Sequence, residues 1–142
     1  MIQKQKIYLT IDEVNALIPQ MEECYQNFWS FRLRAEEIAT TLDPQALKSL
    51  VSEDLISAQL KKSQAHFLME RARLELATIL QIGGVIKDIE SGLTDFFALD
   101  KHSGQELFLC WKYGEKKVRF WHGLEEGYAA RKPISRRVYP RQ

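Results

Sequence analysis

Cys110, His122 and Asp95 are the residues whose chemical types could combine into a reactive centre. A thiol beside an imidazole makes a nucleophile, and a carboxylate behind the ring fixes its orientation. Cys110 and His122 occur in the stretch CWKYGEKKVRFWH, and Asp95 lies upstream in TDFFALD. A second grouping would serve a metal. If the chain turns helical after Trp121, Glu125 and Glu126 follow His122 at helical spacing and can join it and Asp95 around an ion, although Gly123 weakens such a helix. A third grouping would bind an anion or small molecule, with Lys87, Asp88, Asp95, Glu115, Trp121, His122 and Arg131 as its candidates. The tail RKPISRRVYPRQ is a fourth, since arginines with Tyr139 can hold phosphates and stack on bases.

Each grouping depends on the elements that position it. Leu9-Thr10-Ile11-Asp12-Glu13-Val14 reads as a helix start, with Thr10 capping and Glu13 reaching back. Pro19 either kinks this helix or opens a new one. Met21, Cys24 or Tyr25, Phe28, Phe31, Ala35, Ile38 and Leu42 then recur at steps of three and four. After Asp43-Pro44 a second long helix is predicted from about Ser52 to Gln81, its stripe Ala58, Ala65, Leu68, Ala72, Leu76 and Ile79. Gly83-Gly84 ends it. The period then changes to that of strands, and TDFFALD, ELFLCWK and KVRFWH read as a three-stranded antiparallel meander.

Pairing apolar with apolar residues across YGEK sets Trp111 opposite Val118, Leu109 opposite Phe120, Leu107 opposite His122, Phe108 opposite Trp121 and Cys110 opposite Arg119. The KHSG loop sets Phe97 beside Leu107 and Phe96 beside Phe108. This register sends Cys110 and His122 to opposite faces. It leaves Asp95 and His122 roughly 10 Å apart across the middle strand. No catalytic residue, no cofactor and no metal is therefore expected; were a metal bound, Asp95, His122 and Glu126 would be its ligands. Cys110 reads as a core thiol, His122 as a strand-end histidine, and Lys87, Asp88, Glu115 and Arg131 as structural ion pairs. Both sheet faces carry large apolar groups, so one must be covered by the C-terminal segment, a second subunit or a ligand.

Composition narrows the classes. The chain has 142 residues, 45% of them hydrophobic and 27% charged, enough for one domain with a core. A net charge of +1 exerts no global pull on nucleic acid or anionic membrane, although Arg131, Lys132, Arg136, Arg137 and Arg141 make the tail basic. No apolar run approaches the ~20 residues of a membrane span, and no signal peptide is apparent. Cys24 and Cys110 are too few and too far apart for a zinc pattern and suit reduced thiols in a cytoplasm. Glycine-rich phosphate loops and the common hydrolase and metalloprotease motifs are absent.

The blocks GVIKDIESGLTDF, LCWKYGEKKVRFWH and GYAARKPI, in that order, resemble an uncharacterised bacterial family, a domain of unknown function. The residues matching its motifs include Lys87, Asp88, Gly92, Asp95, Cys110, Trp111, Gly114, Glu115, Trp121, His122, Gly127, Arg131 and Pro133. The resemblance implies a small bacterial cytoplasmic protein and supplies no activity.

The expected fold is α+β in a single domain: a helical hairpin over about residues 10–82, a meander over 94–122 and an extended basic tail over 123–142. The expected function is a non-enzymatic interaction or scaffold module that forms a homo-oligomer or meets a protein partner. The alternatives are a small-molecule or anion-binding protein, even an enzyme, with its pocket between meander and tail, and weak nucleic-acid binding through the tail. Of these, nucleic acid is the disfavoured partner, and no membrane is expected.

Overall fold

A computed structural model describes residues 6–48 and 52–134. Two long helices precede a five-stranded antiparallel sheet, so the class is α+β. The chain forms two compact units. One comprises the residues through Glu23 and those from Ile79 onward; the other is Cys24–Thr78.

Helix α1 spans Ile11–Thr40. Its start is a capping box: Thr10 Oγ1 accepts from the Glu13 amide at 3.0 Å, and Glu13 Oε1 accepts from the Thr10 amide at 2.9 Å. Pro19 lies inside the helix and does not end it. Helix α2 spans Ser52–Gln81. A short 3₁₀ turn, Ala46–Lys48, follows α1.

In the helical unit the two helices run antiparallel. Asn27 donates to Glu75 at 3.2 Å, the Arg71 guanidinium lies 5.1 Å from the centre of the Phe31 ring, and Lys61 reaches the Thr41 carbonyl at 3.5 Å. Cys24, Tyr25, Phe28, Ala35, Ala58, Leu68 and Ala72 are buried there. Small residues on α2 opposite aromatics on α1 give the alternation of sizes that lets helices interdigitate.

In the sheet unit the strands are β1 (Gly84–Asp88), β2 (Leu93–Leu99), β3 (Glu106–Lys112), β4 (Phe120–His122) and β5 (Lys132–Pro133), in that spatial order. The meander gains a strand at each edge. β1 occupies GVIKD, directly after the helix-ending glycines and before TDFFALD, where no strand is expected. Its start requires glycine: a Cβ on Gly84 would come within 2.7 Å of the Ile79 side chain, so the last turn of α2 presses on the strand. Gly83 takes φ +104° at the helix end. β5 comes from the segment expected to be an extended tail. After a 3₁₀ turn, Tyr128–Ala130, it pairs Lys132 with Trp121 and Pro133 with Phe120. Arg136, Arg137, Tyr139 and Arg141 lie outside the described residues.

The strand register differs from the expectation by one residue. Leu109 stands opposite Phe96 and Trp121, Phe108 opposite Phe97 and His122, and Cys110 opposite Asp95 and Phe120. Two loops cause the slip. The first closes with Asp100 bonded to the Gln105 carbonyl at 2.9 Å and Gly104 in the left-handed region at φ +72°, one residue longer than assumed. The second is not a tight hairpin. A turn at Gly114 (φ +100°) is followed by a bend at residues 116–117 and irregular chain to 119, and Asn15 on α1 takes the Val118 amide at 2.8 Å. The turn therefore does not dictate where β4 meets β3. One face, here the inner face, carries the buried Thr94, Phe96, Ala98, Leu107, Leu109 and Trp111, which form the core of this unit with Val14, Ile18, Met21 and Ile79. The outer face carries Asp95, Phe97, Phe108, Cys110, Phe120 and His122.

Candidate functional site

A one-residue slip moves every side chain of a strand to the other face. Here it gathers Asp95 from β2, Cys110 from β3 and His122 from β4 on the outer face. One ligand-capable atom from each lies within 4.8 Å of the others. The expected separation of Cys110 and His122 onto opposite faces, and the ~10 Å gap between Asp95 and His122, are thus corrected: His122 Nε2 is 3.0 Å from Asp95 Oδ2. All three residues are buried, with Asp95 and His122 each 1% exposed.

The tautomer of His122 follows from its other nitrogen. Nδ1 lies 2.8 Å from the Gly123 carbonyl, an acceptor, so Nδ1 carries the hydrogen. Nε2 then presents a lone pair to the carboxyl oxygen unless a proton or another cation lies between them. Burial pushes the Asp95 carboxyl above the usual carboxylate range, against the pull of His122, Cys110 and Lys87. Burial and the adjacent Asp95 push the Cys110 thiol up to about 12, so it is a neutral thiol and not a nucleophile at neutral pH. Asp95 Oδ1 is buried with no hydrogen-bond partner.

Glu126 is not beside the cluster as a ligand. It accepts from the Gly123 amide at 2.7 Å and from Lys132 Nζ at 2.7 Å, and so fixes the turn whose carbonyl holds His122. These two bonds hold the Glu126 carboxyl below its usual range. Glu125 is exposed.

Next along the outer face, Arg131 Nη2 bonds both oxygens of Glu115, at 2.9 and 2.8 Å, and its guanidinium stacks 4.0 Å from the centre of the Phe120 ring. Glu115 also accepts from the Lys112 amide at 2.7 Å, and its carbonyl accepts from Trp111 Nε1 at 2.8 Å. Lys87 stands 4.8 Å from the Phe108 ring centre and Lys6 4.9 Å from that of Phe97. The outer face is thus screened by long cationic side chains of the same chain lying over its aromatic rings. Of the remaining candidates, Asp88 is taken up locally, accepting from Ser91 Oγ at 2.6 Å. Trp121 is on the inner-face parity, away from Asp95 and His122, with Lys132 over its ring at 4.7 Å.

A second feature, on α2, escaped the sequence reading. Ile56, Leu60, Phe67 and Leu74 are 58%, 60%, 60% and 50% exposed. Their spacing of four, seven and seven residues puts them on one side. With about 100° per residue, that side is opposite the buried Ala58 and Ala72 and roughly a quarter-turn from the buried Leu68. α2 thus carries apolar residues on two sides, one inward and one exposed. A groove of about 470 Å³ lined by Gln59, Lys62, Ser63, His66, Phe67 and Glu70 runs along this side.

Residues 7–134 match the family described as "Uncharacterized conserved protein (DUF2203)", and the chain belongs to that family. No curated protein and no solved structure matches it. Among the described residues no helix is long and apolar enough to cross a membrane.

Proposed function

For this member of an uncharacterised family, we propose a self-associating interaction module in which α2 packs against its counterpart in a second copy. One observation carries the reading: the exposed stripe Ile56, Leu60, Phe67 and Leu74. Four large apolar side chains at heptad spacing are costly to leave in water and match the period by which helices pack on helices. A two-fold arrangement is favoured because a straight stripe can be its own partner, each copy offering the same surface. Cover for the outer sheet face is no longer a reason for oligomerisation, since Lys6, Lys87 and Arg131 already lie across it.

The other readings rest on less. A cleft of about 710 Å³ between Phe120 of the meander and Pro133 of the tail is lined also by Ile11, Asn15, Lys117 and Arg119, and by none of Asp95, Glu115, His122 and Arg131. Nucleic-acid binding would rest on the tail, most of which lies outside the described residues.

Changing Leu60 and Phe67 together to lysine tests the proposal. Light scattering at micromolar concentration should report a dimer for the natural chain and a monomer for the double variant, with unchanged helical circular dichroism. A natural chain that scatters as a monomer would refute it.

A further inference from the structure

We propose that Asp95, Cys110 and His122 form a binding site for one divalent transition metal ion of the zinc class, held by a carboxylate oxygen, a thiolate sulfur and imidazole Nε2. This site is separate from the helical stripe and does not rest on self-association.

The donor set comes first. Zinc takes sulfur, nitrogen and oxygen ligands at about 2.0–2.3 Å. In tetrahedral geometry such ligands stand about 3.3–3.8 Å from one another. The three atoms here lie within 4.8 Å, so an ion at their centre asks only for small side-chain movements on three hydrogen-bonded strands. The thiolate selects a soft or borderline ion over magnesium or calcium.

Orientation comes next. A metal-binding histidine typically anchors one ring nitrogen on a carbonyl or carboxylate and offers the other to the ion. Here Nδ1 is anchored on the Gly123 carbonyl, and the turn that bears it is held by Glu126. Nε2 points at the carboxyl oxygen 3.0 Å away, a position that a shared proton or a metal cation between the two atoms stabilises. Asp95 Oδ1 is buried with no hydrogen-bond partner, and the Cys110 thiol and His122 are the side chains that meet this carboxyl, the two that would join it around the ion.

Charge also fits. Binding is written Cys–SH + M²⁺ → Cys–S–M⁺ + H⁺, with no change of oxidation state. The thiolate and the Asp95 carboxylate together neutralise the dication in a buried site. The cations nearby are Lys87 and Arg131, and Arg131 is already neutralised by Glu115. Three protein ligands supply three of the four positions that zinc ordinarily fills.

The test is a titration of the chelator-treated full chain with cobalt(II), then zinc(II). The expected result is a thiolate-to-cobalt charge-transfer band that saturates at one cobalt per chain and is bleached by zinc. Cys24→Ser should keep the band and Cys110→Ser should lose it. Circular dichroism checks that Cys110→Ser is folded, and Asp95→Asn provides a second variant with reduced cobalt affinity. Folded natural protein that gives no stoichiometric band overturns the proposal, as does a band that survives Cys110→Ser.

Discussion

The two compact units handle polarity in opposite ways. In the sheet unit, polar side chains are buried or half-buried and held: His122 on Gly123 and Asp95, Glu115 on Arg131. In the helical unit, apolar side chains are exposed along α2, and buried polar ones are few. Burying a polar group costs free energy unless its partners are supplied, and exposing a large apolar one costs free energy unless something covers it. The first pattern marks a site inside the chain and the second a surface that meets another chain. The difference assigns the two roles to different units.

The comparison breaks most sharply if the sheet core is not what holds the site in place. Trp111 is fully buried on the inner face beneath the cluster. Trp111→Ala should lower unfolding free energy by roughly 3–5 kcal/mol in urea melts, as a truncated core aromatic does. A melt that hardly moves would mean that the inner face is not the core.

Arg131→Ala leaves the Glu115 carboxylate half-buried without its partner. A loss of roughly 1–3 kcal/mol is expected. The same loss from Glu115→Ala, and less than the sum from the double variant, would show that the two act as one clasp.

The buried carboxyl gives a test by pH. Asp95 has its folded pKa raised above the ordinary 3.8. Below that ordinary value both states hold the proton and its relative contribution to stability is fully present. As pH rises through the raised folded value, the unfolded chain ionises first and the contribution is lost, at up to about 1.4 kcal/mol per pH unit. In chelator-treated protein, Asp95→Asn removes this slope. The variant should therefore gain on the natural chain as pH rises above 3.8, which thermal melts across pH would record. Parallel pH profiles would mean that Asp95 is not desolvated.

The smallest effect belongs to the start of α1. Thr10→Ala removes the capping bond to the Glu13 amide and should cost about 1 kcal/mol. The sheet unit should lose that stability without any change in oligomeric state.

Helices were the more legible half of the sequence because their signals are local. Thr10 and Glu13 meet within one turn, and the end of α2 is written in Gly83-Gly84. The strands of the meander were visible as alternating aromatics, but their register was not. Facing-pair reasoning matched apolar with apolar. The structure instead sets Cys110 opposite Asp95 and Phe108 opposite His122, because the closing residues of one loop and the long bend before β4 fix the register. That single slip hid the cluster, since residue types at 95, 110 and 122 were noted but placed on the wrong faces. β5 falls in the segment read as an extended tail: two residues carry no alternation to find, and Pro133 is tolerated because the strand lies at the sheet edge. The exposed stripe on α2 was hidden for a simpler reason: a helix with apolar residues on two sides has no single face to find.

A native mass spectrum of the zinc-loaded chain tests the division of roles most directly, because it counts subunits and retained metal together. The account predicts a dimer with one zinc per chain, and for Leu60→Lys with Phe67→Lys a monomer that keeps its zinc. A natural chain that flies only as a metal-free monomer, or a double variant that loses its zinc with its partner, would contradict it.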